Sequence, residues 1–220
     1  MANRAGVWVI VLAAGSGRRF GAAKQYADLN GRSMLEHSVA AAMRVAQGVI
    51  AVVDDATLSE SEPAGPLHDP RVRLHPGGAQ RADSVRAGLA VVPVAAEVIV
   101  VADAAHPLAT PALFEAVVAA VRAGADGAVP GLPLAEVLAR VDADGWRVDG
   151  LNRDGLVLVQ TPQAFRAAAL RSAHSGGATA AEDSALVAAA GGRIAVVAGE
   201  PMNVHVTTPA ELELARRLLT

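Results

Sequence analysis

The chain has 220 residues, 52% of them hydrophobic but only 3% aromatic, so one α/β domain spanning 1–220 has to build its core from Ala, Val and Leu. A net charge of −3 with so few aromatics argues against a nucleic-acid partner, and the lack of cysteine excludes disulfides, zinc–thiolate centres and thiol nucleophiles. No apolar run is long enough to span a membrane, and the run from Val7 is strand-length, so a cytoplasmic protein with no membrane partner is expected.

The first predicted strand, Val7–Leu12, runs into Ala13-Ala14-Gly15-Ser16-Gly17-Arg18-Arg19-Phe20, with Lys24 shortly after. Gly15 and Gly17 leave backbone bare for a phosphate, and Arg18, Arg19 and Lys24 supply positive charge to it. A Walker A run is absent, and Phe20 stands where a dinucleotide fingerprint needs its third glycine. A nucleoside triphosphate loop of another kind is expected; an ordinary strand-to-helix turn with solvated arginines is the alternative.

A helix over Met34–Ala46, a strand over Val49–Val53 and a surface loop over Glu60–Pro66 come next. The strand Val72–Leu74 leads to Gly77-Gly78 and a helix over Ser84–Val92 capped by Asp83 or Ser84. Glycines here permit close approach of a flat base, which Ser84 can hydrogen-bond. After the strand Val98–Ala102, Asp103 stands where a carboxylate reaches a metal held by a triphosphate, or else caps a helix. Thr110-Pro111 opens a helix that Gly124 ends, and a strand over Gly127–Val129 follows.

Residues 132–160 break the rhythm. Asp144-Gly145 is a hairpin turn between Val141 and Trp146, so this stretch is expected to form a β-arm. A lone two-stranded arm is marginal in water, which makes a second copy of the chain its expected cover. Thr208-Pro209-Ala210-Glu211 is a capping box for the last helix, Leu212–Leu219. The alternation as a whole predicts a doubly wound, mostly parallel Rossmann-like sheet.

Ala13-Ala14-Gly15-Ser16-Gly17-Arg18-Arg19, Lys24-Gln25-Tyr26, Arg81-Ala82-Asp83-Ser84-Val85, Asp103-Ala104-Ala105, Gln160-Thr161-Pro162-Gln163 and Asn203-Val204-His205-Val206-Thr207 stand in one order along the chain. Together they resemble the cytidylyltransferases of the non-mevalonate isoprenoid pathway, over nearly the whole length. The resemblance implies a nucleotide-diphospho-sugar transferase sheet and transfer of CMP from CTP to 2-C-methyl-D-erythritol 4-phosphate, with pyrophosphate released. It also implies Mg²⁺ as cofactor, and a homodimer whose exchanged arms complete each other's acceptor sites. Ala13, Ala14, Gly15, Gly78 and Ser84 would hold cytosine and ribose, with Gly17 and Arg18 in the same loop. Arg19 and Lys24 would brace the α-phosphate and pyrophosphate, Asp103 would help hold Mg²⁺, and Arg153 would reach the acceptor's phosphate in the partner.

Three positions depart from the family's pattern. His205 stands in place of a lysine, His106 in place of an arginine, and Val137 in place of a threonine that contacts the acceptor phosphate. All three fall on the acceptor side, and a histidine replaces a cation only when protonated. Two other readings therefore stay open: a cytidylyltransferase for another polyol phosphate such as ribitol 5-phosphate, and a non-catalytic CTP-binding paralogue.

Overall fold

A computed structural model describes residues 3–15, 20, 23–60 and 65–219. Strand β1 (Val7–Leu12) alternates its side chains between two cores: Val9 and Val11 enter one, Ile10 and Leu12 the other. A 3₁₀ turn (Lys24–Tyr26) and a small hairpin of β2 (Asp28–Leu29) and β3 (Arg32–Ser33) lead to α1 (Met34–Met43). Ser33 caps α1, accepting the Glu36 N–H at 3.2 Å while the Glu36 carboxylate accepts that of Ser33 at 2.8 Å. The helix stops before the expected Ala46, because Val45 and Ala46 tuck into the core and Gln47 N–H donates to Val7 O at 2.9 Å.

Strand β4 (Gly48–Val53) is buried throughout and starts one residue earlier than read, with the Trp8 ring covering Gly48. Then come α2 (Asp55–Glu60), a 3₁₀ turn (Gly65–His68), β5 (Val72–Pro76) and α3 (Arg81–Val91). Helix α3 begins three residues before the expected Ser84. Asp83 is therefore not its cap but a first-turn residue, whose carboxylate accepts the Gln80 N–H at 3.1 Å. Strand β6 (Val98–Asp103) includes Asp103 as its last residue, and α4 (Pro111–Arg122) is capped by Thr110, whose hydroxyl accepts the Leu113 N–H at 3.2 Å.

The second half is less regular. Strand β7 (Gly127–Pro133) outruns the expected Gly127–Val129 and serves three partners. Between it and the C-terminus lie β8 (Leu138–Val141), β9 (Arg147–Leu151), β10 (Val157–Val159), β11 (Gln163–Arg166), α5 (Ala167–Ser175), α6 (Asp183–Ala189), β12 (Ile194–Ala198) and α7 (Pro209–Leu218). The main sheet runs β5-β4-β1-β6-β11-β7, with β12 parallel to β7 on its far side and β10 alongside the distal end of β7. Only β10 and β11 run against the other strands, so the sheet is mixed but mostly parallel. Leu35, Val39, Leu113 and Val117 of α1 and α4 cover one face; Val85, Leu89 and Leu170 of α3 and α5 cover the other.

Strands β8 and β9 form a separate two-stranded ribbon outside that sheet. Gly145 takes φ +88° at its tip, where an L side chain is strained, and Asp142 Oδ1 accepts the Trp146 N–H at 2.8 Å. The projecting part of the arm is shorter than 132–160, since β7 and β10 carry both ends of that stretch in the main sheet. Trp146 is 74% exposed and Val137 78%. Among the described residues no helix is long and apolar enough to cross a membrane.

Candidate functional site

The chain passes outward from β1 to β4 and β5, then returns to lay β6 on the other side of β1. At the carboxyl ends of these strands, where that order reverses, a cleft of about 560 Å³ opens. The turn after β1 supplies one wall. Ala13 N–H donates to Val52 O at 2.7 Å, which fixes the turn to the sheet, and a Cβ on Gly15 would meet only open space. Gly17, Arg18 and Arg19 lie outside the described residues.

Lys24 lines the cleft and donates from Nζ to Val206 O at 2.9 Å, tying the 3₁₀ turn to the segment before α7. Behind it Gln25 is buried, and Tyr26 donates its hydroxyl to Asp54 Oδ2 at 3.1 Å, so this turn is anchored to the end of β4 as well. Burial is the largest influence on the Tyr26 phenol and raises its pKa, with the Asp54 charge adding to it.

Gly77 and Gly78 also have a packing reason to be glycines, and Gly78 lines the cleft. A Cβ on Gly77 would overlap that of Ala14, and one on Gly78 would overlap that of Asp83. The glycines thus let β5 and α3 close against the β1 turn. Ser84 is buried and its Oγ accepts the Gly78 N–H at 3.1 Å, which leaves its own hydroxyl hydrogen for another acceptor.

Asp103 borders the cleft from β6, and its Oδ1 accepts the Ala105 N–H at 2.8 Å. Among the described residues no three His, Asp or Glu side chains converge as a metal cage. One carboxylate facing open space suits a Mg²⁺ ion that arrives already bound to a triphosphate, since such ions keep waters and phosphate oxygens as most of their ligands.

His205 is exposed and lines the cleft, but His106 does not; it lies behind His205 with only 8% exposure. The two rings stack with centroids 4.7 Å apart and planes within 8°. His106 Nδ1 lies 3.3 Å from both the backbone and the side-chain oxygen of Asn203, two acceptors, so the proton of the neutral ring is assigned to Nδ1. Burial, and then the neighbouring His205, push the His106 pKa down to about 4. Of the two histidines that stand where the family carries cations, His106 is therefore an uncharged ring at neutral pH, and His205 rests on it.

A buried neutral histidine has a stability cost on the acid side. Above its ordinary value of 6.5 His106 is neutral folded or unfolded; between 6.5 and about 4 only the unfolded chain takes up the proton, so stability falls as pH falls. Removing that proton uptake with His106→Asn is expected to flatten the pH dependence of urea midpoints across this window, by up to about 3 kcal/mol at its acid end. An unchanged slope would mean that His106 is not buried as described.

Arg153 and Val137 stand on the exposed arm, away from the chain's own cleft, and Arg153 donates to the Ala135 carbonyl. Sequence reasoning gave no role to Gln25, Arg81 or Thr207, which line the cleft. Arg81 is the notable omission. Its Nη1 lies 2.8 Å from Oδ2 of Asp183, which is 1% exposed, and Asp183 Oδ1 accepts from His174 Nε2 at 2.8 Å.

Bare backbone beside cations at a strand-order reversal defines a nucleotide-binding protein of the doubly wound α/β class. The comparisons agree with that class and narrow it. The chain belongs to the IspD, or 2-C-methyl-D-erythritol 4-phosphate cytidylyltransferase, family, whose model matches residues 7–220. It is 39% identical to the enzyme of that name from Nocardia farcinica, over 99% of this chain and 95% of the relative. It is also 39% identical to a bifunctional enzyme IspD/IspF from Clavibacter michiganensis, but spans only 54% of that protein's length. The crystal structure of 2-C-methyl-D-erythritol 4-phosphate cytidylyltransferase from Thermus thermophilus aligns with a TM-score of 0.80 and 29% identity, over 96% of this chain and 97% of that one.

Proposed function

We propose that this chain transfers CMP from CTP to 2-C-methyl-D-erythritol 4-phosphate and releases pyrophosphate. The observation that carries the reading is the convergence of Gly15, Lys24, Gly78 and Asp103 on one cleft in a chain of this family. A phosphate oxygen of the acceptor attacks the α-phosphorus of CTP. The new P–O bond forms as the bond to the β-phosphate oxygen breaks, and pyrophosphate departs with that electron pair. The attacking oxygen is already anionic, so the site needs no general base.

Catalysis then rests on alignment and on cations placed where charge develops. Backbone at Ala13, Ala14 and Gly15, with Gly78 and Ser84, holds base and ribose, and Lys24 faces the phosphates. Asp103 would hold Mg²⁺, which offsets charge on the triphosphate. At the acceptor end His205 offers an imidazole on a neutral His106, so this pair presents at most one positive charge. The arm carries Arg153 toward the cleft of a second copy in a homodimer, and its exposed apolar residues are the surface such a dimer covers.

Pyrophosphate release from CTP and Mg²⁺ tests this, with methylerythritol 4-phosphate and ribitol 5-phosphate supplied separately at pH 6 and pH 8. Turnover with the first, faster at pH 6, is the expected result. Turnover with ribitol 5-phosphate alone would move the reading to another polyol phosphate, which the uncharged His106 and Val137 favour. Replacing His205→Lys and Val137→Thr together is expected to raise kcat/KM for methylerythritol 4-phosphate by about 10- to 100-fold.

A further inference from the structure

Outside the residues given roles above, one buried ionic cluster touches the cleft. Arg81, the first residue of α3, lines it; Asp183 opens α6, and His174 lies near the end of α5. Arg81 Nη1 and His174 Nε2 each approach a different oxygen of the Asp183 carboxylate at 2.8 Å. We propose that Asp183 and His174 are positioning residues for the nucleotide: they hold the Arg81 guanidinium against the wall of the cleft beside Gly78 and Ser84. This rests on the reading of the cleft as a CTP site.

Three observations support a positioning role over simple packing. First, Asp183 is 1% and His174 3% exposed, so both were taken out of water at a desolvation cost that an apolar cluster of similar volume would avoid. What an apolar cluster lacks is a fixed anion for a guanidinium that borders the site.

Second, the carboxylate is itself held in place. Glu182, next to it, accepts Gln163 Nε2 at 2.7 Å and the Ser184 hydroxyl at 2.6 Å, which ties the start of α6 to β11. Third, His174 Nδ1 has no hydrogen-bond partner among the described residues. Nε2 therefore carries the N–H that donates to Asp183 Oδ1 at 2.8 Å and orients it.

Arg81 keeps a long side chain with several rotatable bonds. Ion-paired to a rigid carboxylate, the guanidinium keeps one orientation, and its N–H donors suit the neutral oxygen and nitrogen acceptors of a base or ribose. Released, the same guanidinium is spread over many rotamers, and the lost orientation is paid at each binding event.

The test is a double-mutant cycle on Kd for CTP, measured by calorimetry with Mg²⁺ present, alongside KM for CTP and for the acceptor. Asp183→Asn and Arg81→Gln are each expected to weaken CTP about tenfold, and the double variant no more than either alone. KM for the acceptor should stay within about twofold. His174→Leu should weaken CTP, and His174→Gln, which keeps an N–H donor, should recover most of the loss.

If Asp183→Asn fails to fold, Arg81→Lys and the two His174 variants carry the comparison. Additive losses at 81 and 183, equal rises in both KM values, or unchanged CTP affinity would overturn the positioning role alone. A native chain that binds no CTP would overturn the reading beneath it, and this inference with it.

Discussion

Lys24→Met is expected to lower kcat/KM for CMP transfer by about 10²–10³ while the chain stays folded. The ammonium does two things in this geometry. It borders the cleft where the phosphates would lie, and it donates to Val206 O at 2.9 Å, holding the segment that presents His205 and Thr207. Losing the second role alone removes about one hydrogen bond, a cost of about 1 kcal/mol that melting curves would register as a small shift. Losing the first removes a cation from a place where transition-state charge builds. Lys24→Arg separates the two, since it keeps the charge but alters the reach. If Lys24→Met retained native turnover, the phosphates would not lie against this wall.

Gly77→Ala is the second large effect, and it comes from one methyl group. That methyl would overlap the Ala14 Cβ and sit 3.0 Å from Ser84 Oγ, and neither neighbour is the far end of a flexible side chain. Overpacking of this kind costs about 1–3 kcal/mol of stability. The larger result is expected in binding, because the atoms pushed aside are Ala14 and Ser84, two of the groups assigned to the base. CTP affinity should fall about 10- to 100-fold. Adding Ala14→Gly to Gly77→Ala removes the overlap and should restore most of it. Failure of that rescue would show that Gly77 serves something other than closure of β5 onto the β1 turn.

The first half of the fold was readable because its strands are continuous apolar runs flanked by capped helices. Val7–Leu12 and Val98–Asp103 lie in the middle of a sheet covered on both faces, so composition alone marks them. In the second half only the start of β7, the hairpin at Asp144-Gly145 and the capped last helix were readable. Strand β10 has only three residues, and β11 opens on Gln163, a polar side chain that is 2% exposed because Glu182 and the Gln160 carbonyl accept its amide hydrogens. No periodicity distinguishes such strands from loops.

The site divides along a similar line. Gly15, Lys24, Gly78, Ser84 and Asp103 follow strand ends in local motifs, and the fold brings them to one cleft. The pairing of Arg81 with Asp183 and His174 joins three separate elements, and no local spacing announces it. His106 was visible as a departure from the family's pattern, but its burial depends on Asn203 and His205, almost a hundred residues later.

The chain has two tryptophans, and the fold puts them in opposite surroundings. Trp8 is wedged over Gly48 in the sheet, while Trp146 stands 74% exposed at the tip of the arm. The molecule thus carries its own optical gauge: one indole reports on the integrity of the sheet, the other on whatever meets the arm. In a Trp8→Phe variant the emission belongs to Trp146 alone. A blue shift with rising protein concentration, together with loss of iodide quenching, would read out arm-to-copy docking directly, without a label and without substrate.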